Sequence, residues 1–227
     1  MPEPFDFDQK IALVAGGTGG LGAPIAAELR ARGCIVTTVS RSPISDAAHI
    51  SADLRSPEAI SAVMNSIVER HGALNIIVNA MGVVAFGTVD TTSIDTIEEL
   101  FLTNTFAHIF LMKEALKCAR QGSVLVGISG VIAEQNLGGM ATYGASKAAV
   151  CSFNEALTRE ARRSGIRVID TRPPHTETGL SSRAIAGDPP KFPVGLDPIK
   201  VAQRIVRAIA DGETDLPSTA FADLSGD

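Results

Sequence analysis

The chain has 227 residues, of which 45% are hydrophobic and 20% charged, with a formal net charge of -5. That length and balance suit one folded domain over residues 1–227, and the acidic excess argues against nucleic acid or an anionic membrane as a partner. No apolar run is long enough to span a bilayer, residues 1–10 lack the pattern of a signal peptide, and Cys34, Cys118 and Cys151 have no metal-ligand spacing; a cytoplasmic protein with reduced, buried thiols and no metal is expected.

After a polar lead-in over residues 1–10, residues 11–14 read as a buried strand and 23–32 as a helix with Pro24 in its first turn. Between them Gly16, Gly20 and Gly22 carry the spacing G-x-x-x-G-x-G. Strand, glycine turn and helix put free N–H groups and a positive helix end over a phosphate; the plainer alternative is a tight strand–helix turn. A phosphate loop that ends in Lys and Ser or Thr is excluded, because Leu21 and Gly22 stand there. Gly33 stops the helix and residues 34–40 read as a second strand, which makes a βαβ unit and implies a parallel sheet. At its end stand Ser40 and Arg41 rather than a carboxylate. A carboxylate would favour the ribose diol of NAD, whereas an arginine fork suits a 2′-phosphate, so NADP is expected, with NAD possible.

Residues 49–54 read as a short third strand, with Asp53 and Leu54 at its end; Asp53 either accepts from an adenine amino group or caps the loop. Ser56 as N-cap and Pro57 open a helix that His71 and Gly72 close. Residues 74–78 form an apolar fourth strand, followed by Asn79, Ala80, Met81 and Gly82, where Asn79 fastens backbone and small residues leave room for a nicotinamide. Residues 91–116 read as helix with a break near Asn104, and 123–128 as the fifth strand, with Ser129 and Gly130 at the edge where open α/β sheets place their chemistry. A helix is expected from about residue 145 to 163. At its start Tyr143, the only tyrosine, and Lys147 lie four apart and can share a face, a spacing also found in helices without chemistry. Residues 166–169 are the sixth strand, 170–178 a stiff polar loop and 180–196 a Gly- and Pro-rich lid. Asp197 and Pro198 open a last helix, and 214–221 form a strand that Pro217 keeps short or at an edge. The count is six or seven strands alternating with helices, an α/β doubly wound parallel sheet.

Taken together and in order, Gly16, Gly20, Gly22, Asp53, Asn79-Ala80-x-Gly82, Asn104, Ser129 and Tyr143-x-x-x-Lys147 make residues 11 to about 210 resemble the classical short-chain dehydrogenase/reductase family. The resemblance implies a three-layer αβα Rossmann fold, a nicotinamide cofactor, and a homodimer or homotetramer packed through helices near residues 91–119 and 145–163. It implies that Gly16, Thr18, Gly20, Leu21 and Gly22 meet the diphosphate, Ser40 and Arg41 the adenosine ribose, Asp53 and Leu54 the adenine, and Asn79, Ala80 and Gly82 the nicotinamide side. Tyr143 is the implied proton donor or acceptor, Lys147 and the cofactor's positive ring lower its pKa, Lys147 also holds ribose hydroxyls, Ser129 polarises the substrate oxygen, and Asn104 holds a relay water. Pro173, Thr176 and Thr178 grip the carboxamide, with Pro174 standing where the family has glycine. Counted forward from Gly122 the serine position is Ser129; counted back from Tyr143 it is Gly130, and Ser129 is taken because loops absorb length changes more easily than strands. His49, His71, His108 and His175 are read as structural or surface groups, His175 alone being near the site; Arg172, in a loop it shares with Glu177, is read as a partner in a local salt bridge, the alternative being contact with a carboxylated substrate.

The expected function is an NADP-preferring oxidoreductase acting on a small or medium carbonyl or alcohol. The rivals are a non-catalytic NADP-binding sensor and a protein-association module on the same fold.

Overall fold

A computed structural model describes residues 5–224. Seven parallel strands, β1 (Ile11–Ala15), β2 (Ile35–Ser40), β3 (His49–Ser51), β4 (Ile76–Asn79), β5 (Val124–Ile128), β6 (Arg167–Thr171) and β7 (Asp215–Leu216), lie in the order β3-β2-β1-β4-β5-β6-β7. The α-helices are α1 (Gly22–Ala31), α2 (Pro57–His71), α3 (Ile94–Leu100), α4 (Ala107–Cys118), α5 (Ala141–Ala161) and α6 (Pro198–Asp211).

Strand alternation sorts the core into two layers. Ala12, Val14, Val36, Val78 and Val126 face α1 and α6, where they meet Ile25, Leu29, Ile205 and Ile209. Ile11, Leu13, Ile77, Leu125 and Val168 face the other way, against Ile60, Met64, Leu111 and Leu157 of α2, α4 and α5. Both faces are covered, so the strands read as continuous apolar runs. This is the expected three-layer αβα fold.

Several boundaries differ from the sequence reading. The lead-in expected over residues 1–10 lies outside the described residues at 1–4; beyond them Phe7 is buried in the core under Arg32, so this stretch is not simply polar. Strand β6 runs on through Asp170 and Thr171, which the sequence put in a loop, and α5 starts at Ala141 rather than near residue 145. The last strand is two residues long, and a 3-10 turn over Ser218–Leu224 takes the rest. Of the cysteines, Cys34 alone is buried, and burial pushes its thiol up to about 11. Among the described residues no helix is long and apolar enough to cross a membrane.

Candidate active site

The strand order reverses between β2-β1 and β4-β5, which opens a crevice at the carboxyl edge of the sheet. The glycine turn lies on its floor. Gly16, at φ +75°, and Gly17 both donate their N–H to the Val39 carbonyl, which ties the turn to the end of β2. A Cβ on Gly16 would stand 2.8 Å from the Ala80 backbone, one on Gly22 2.2 Å from the Gly16 carbonyl, and one on Gly20 2.2 Å from the Thr178 carbonyl. Backbone packing therefore requires these glycines. Helix α1 begins after Leu21 with no side-chain cap and no acidic residue in its first turn, so its positive end is left for an anion.

Two cavities adjoin over this helix end and share Gly19, Ala80, Met81, Gly82, Leu180 and Arg183 as walls. The first, about 350 Å³, is bounded by Gly16, Thr18, Ser40, Arg41, Asp53 and Leu54. The second, about 250 Å³, is bounded by Gly20, Leu21, Ser129, Tyr143, Lys147, Pro173, Thr176 and Thr178. Residues from seven separate stretches of sequence thus meet in one groove. Its uncapped helix end, glycine floor and Arg41 fit a dinucleotide phosphate chain. Asp53 stands at the wall with its carboxylate held by the Arg55 guanidinium, which keeps it below the usual carboxylate range and also reaches Glu99. Ser40 Oγ donates to the Ser42 carbonyl, and its partner His49 also meets Thr38, a structural histidine as expected.

Asn79 and Asn104 work beneath the groove. Asn79 Oδ1 accepts from Met81 N–H at 3.0 Å. The helical run from α3 to α4 widens into a π-turn at Phe101–Phe106. There Asn104 accepts from Val83 N–H at 2.8 Å and donates to the Val83 carbonyl and to Ser146 Oγ, each at 3.0 Å. A side chain clamped to another segment at this point accompanies the extra residue in the turn.

Tyr143 and Lys147 lie on successive turns of α5. The Tyr143 ring packs with Val84, Phe86, Leu100, Ile132 and Met140. Burial pushes its phenol up to about 12. The lowering expected from Lys147 together with the cofactor's positive ring belongs to the cofactor-bound site. Burial also brings the Lys147 ammonium down to about 8 against the pull of Asp170, and one of its N–H groups donates to the Ile128 carbonyl at 2.7 Å. A Cβ on Gly82 would lie 3.6 Å from Lys147 Nζ and 3.4 Å from Asn104 Oδ1, so both groups approach the floor where Gly82 is bare.

Ser129 departs from expectation. It lies on the wall, but its hydroxyl is fully buried and donates to both Asp170 carboxylate oxygens at 2.9 Å. Its hydroxyl is therefore not aimed at a substrate. The next residue, Gly130, has φ +86° and ψ 161°, a backbone conformation nearly confined to glycine, and a Cβ there would meet nothing within 4 Å. The register counted back from Tyr143 therefore places a bare Cα at the serine position.

Asp170 belongs to a buried network that the sequence reading missed. Asn79 donates to His108 Nδ1, His108 Nε2 pairs with Asn154 Oδ1 at 2.7 Å, and Asn154 donates to Asp170 at 2.8 Å. Arg172 closes the chain, bonding Asp170 as a local salt-bridge partner and also the distant Glu134 and Asp215, which that reading did not include. Burial works against the Arg172 charge, but the three carboxylates together hold it firmly. The available signal was Asp170 and Arg172 two apart, which on a continuing strand share a face. Residues 180–196, read from the sequence as a lid, border the cavity through Leu180, Ser181, Arg183 and Phe192. This segment is pinned to the loop after β4 by the Ala85–Ala186 bridge and to the β6 loop by the Thr176–Leu196 bridge.

A family model described as short chain dehydrogenase matches residues 10–188. A dehydrogenase/reductase SDR family protein 7-like from Anopheles gambiae is 28% identical over 234 residues, covering 91% of this chain and 74% of that protein. Versicolorin reductase of Emericella nidulans is 29% identical over 191 residues, covering 78% of this chain and 72% of its own length. The crystal structure of a short chain dehydrogenase from Burkholderia cenocepacia J2315 in complex with NADP superposes with a TM-score of 0.82 at 25% identity, covering 95% of this chain and 99% of that one.

Proposed function

The chain belongs to the short chain dehydrogenase family of NAD(P)-dependent oxidoreductases, and from that premise we propose that it prefers NADP and interconverts a small or medium carbonyl and its alcohol. The observation that carries this reading is the meeting of Tyr143 and Lys147 at one cavity that adjoins a phosphate-ready groove. The relative solved with NADP and the relative named as a reductase support the cofactor and the reductive direction.

In this reading Gly16, Thr18, Gly20, Leu21 and Gly22 cradle the diphosphate at the start of α1. Ser40 and Arg41 take the 2′-phosphate, Asp53 and Leu54 flank the adenine, and Asn79 fixes the Ala80 to Gly82 floor. Pro173, Thr176 and Thr178 border the carboxamide. Bound NADPH supplies the hydride. Tyr143 gives its proton to the substrate oxygen, and its raised pKa keeps the phenol protonated for that role at neutral pH. Lys147, down at about 8, stays charged at pH 7 and is close enough to neutrality to hand on a proton. Asn104 positions the Val83 backbone under both. Exposed Phe106, stacked on Phe110 of α4, gives the long helices an apolar face suited to a homodimer or homotetramer.

A second reading, a non-catalytic NADP-binding sensor, is supported by the Ser129 hydroxyl turned to Asp170. NADPH oxidation across a panel of carbonyls separates the two. Tyr143→Phe is expected to lower kcat/KM at least about 100-fold while the NADP Kd holds. Turnover that survives this substitution would remove Tyr143 from the proton step, and no turnover with tight NADP binding would favour the sensor.

A further inference from the structure

The cavity beside Tyr143 has two features that the oxidoreductase reading does not use. The first is an aromatic wall. Nine phenylalanines and one tyrosine are the chain's entire stock of large aromatic rings, yet Phe86 and Phe192 both face this cavity with centroids 6.0 Å apart. His175 extends the wall, stacked on Phe192 at 4.8 Å and 27°. Nearby Ile132, Leu137 and Met140 add only apolar surface. Such a wall offers aromatic surface to a flat ligand.

The second is a shortage of donors. The end of β5 and helix α5 bring two hydroxyls to the wall, those of Ser129 and Tyr143. Ser129 is committed to Asp170, and Thr176 across the cavity donates to the Pro174 carbonyl. Gly130 brings no side chain at all, and its φ of +86° shows that the loop is built for that. Loss of one donor from an oxyanion site costs about 100- to 1000-fold in rate. A simple ketone polarised by Tyr143 without a serine hydroxyl beside it carries that cost in full. A ketone activated by its own neighbouring carbonyl carries much less.

We propose that this cavity selects aryl 1,2-diketones, the ring stacking on the Phe86–Phe192–His175 wall and the adjacent carbonyl supplying the activation that Gly130 leaves out. The assignment rests on the oxidoreductase reading above. The reaction balances as a two-electron reduction. One C=O becomes CH–OH, with the hydride from NADPH on carbon and the Tyr143 proton on oxygen, and the second carbonyl survives in an α-hydroxyketone.

The test uses 1-phenyl-1,2-propanedione, propiophenone and 2,3-hexanedione with the full chain. With NADPH, the phenyl dione is expected to exceed propiophenone at least 1000-fold in kcat/KM. Gly130→Ser is expected to raise propiophenone 10- to 100-fold and the dione much less. Because serine is strained at that φ, calorimetry on the NADP-loaded wild type gives an independent reading. There the phenyl dione is expected to bind at least 10-fold more tightly than 2,3-hexanedione, and Phe192→Ala to erase the difference. Propiophenone turned over within 10-fold of the phenyl dione, or equal binding of the two diones, would overturn the substrate assignment alone. No turnover of any carbonyl would overturn the oxidoreductase reading and the assignment with it.

Discussion

His108 shows how a single side chain couples this interior to pH. It is fully buried between Asn79 and Asn154, with the charges of Lys147 and Asp170 also acting on it. Burial brings its pKa from 6.5 down to about 4. The unfolded chain therefore takes up a proton before the folded one does. The stability tied to the neutral ring is present above pH 6.5 and is lost as pH falls toward 4, by about 3 kcal/mol. Urea unfolding between pH 4 and pH 7 is expected to show that loss in the wild type and a shallower slope in His108→Gln; parallel slopes would mean that the ring does not stay neutral. The sequence marked His108 as structural without showing its partners, because Asn154 and Asp170 lie 46 and 62 positions away. Tyr143 and Lys147 were legible because their spacing is local. The direction of the Ser129 hydroxyl was not, since Asp170 on another strand decides it.

At the scale of elements, what was legible tracks local signals. Ser56 and Pro57 announced α2, Asp197 and Pro198 announced α6, and both caps are formed. Helix α5 has no side-chain cap at Met140, so nothing in the sequence marked its true start. Strand β6 runs past its expected end because Arg172 neutralises Asp170 inside the sheet layer. The packing of α4 and α5 against β5 turns on Gly127. A Cβ there would fall 2.3 Å from Asn154 Nδ2 and 2.8 Å from His108 Cε1. Neither group can withdraw without breaking a buried hydrogen bond. Gly127→Ala is expected to cost about 2–3 kcal/mol, lowering Tm by roughly 4–12 °C. Gly138→Ala, where a Cβ meets nothing within 4 Å, serves as the control and is expected to stay within about 0.5 kcal/mol of wild type. Equal Tm values for the two variants would show that the network has slack.

Across the whole molecule, the groove is where the two halves of the sheet meet, and its walls come from both. A dinucleotide lying in it ties β1 and β2 to β4, β5 and the lid, and anything that binds only the folded state raises stability by mass action. At 100 times its Kd, NADP is expected to add about 2.7 kcal/mol, a Tm rise of roughly 5–10 °C in a chain of this size. The βαβ unit, the Ser40-Arg41 end of β2 and Asp53 and Leu54 on the same cavity made this arrangement legible, whereas Arg55, Thr103 and Arg183, which also bound it, carried no local signal. Arg41 is exposed, at the mouth of the adenosine-side cavity, and among the described residues no carboxylate is bonded to its guanidinium. Its charge is therefore available to a 2′-phosphate, and a charge-assisted contact of that kind contributes about 1.5–3 kcal/mol. Arg41→Ala should then weaken NADP at least 10-fold and cut its Tm shift at a fixed concentration, while leaving the shift produced by NAD as it was. Thermal scans with each dinucleotide decide the matter, because a general loss of groove shape would lower both shifts together, and a solvated surface arginine would lower neither.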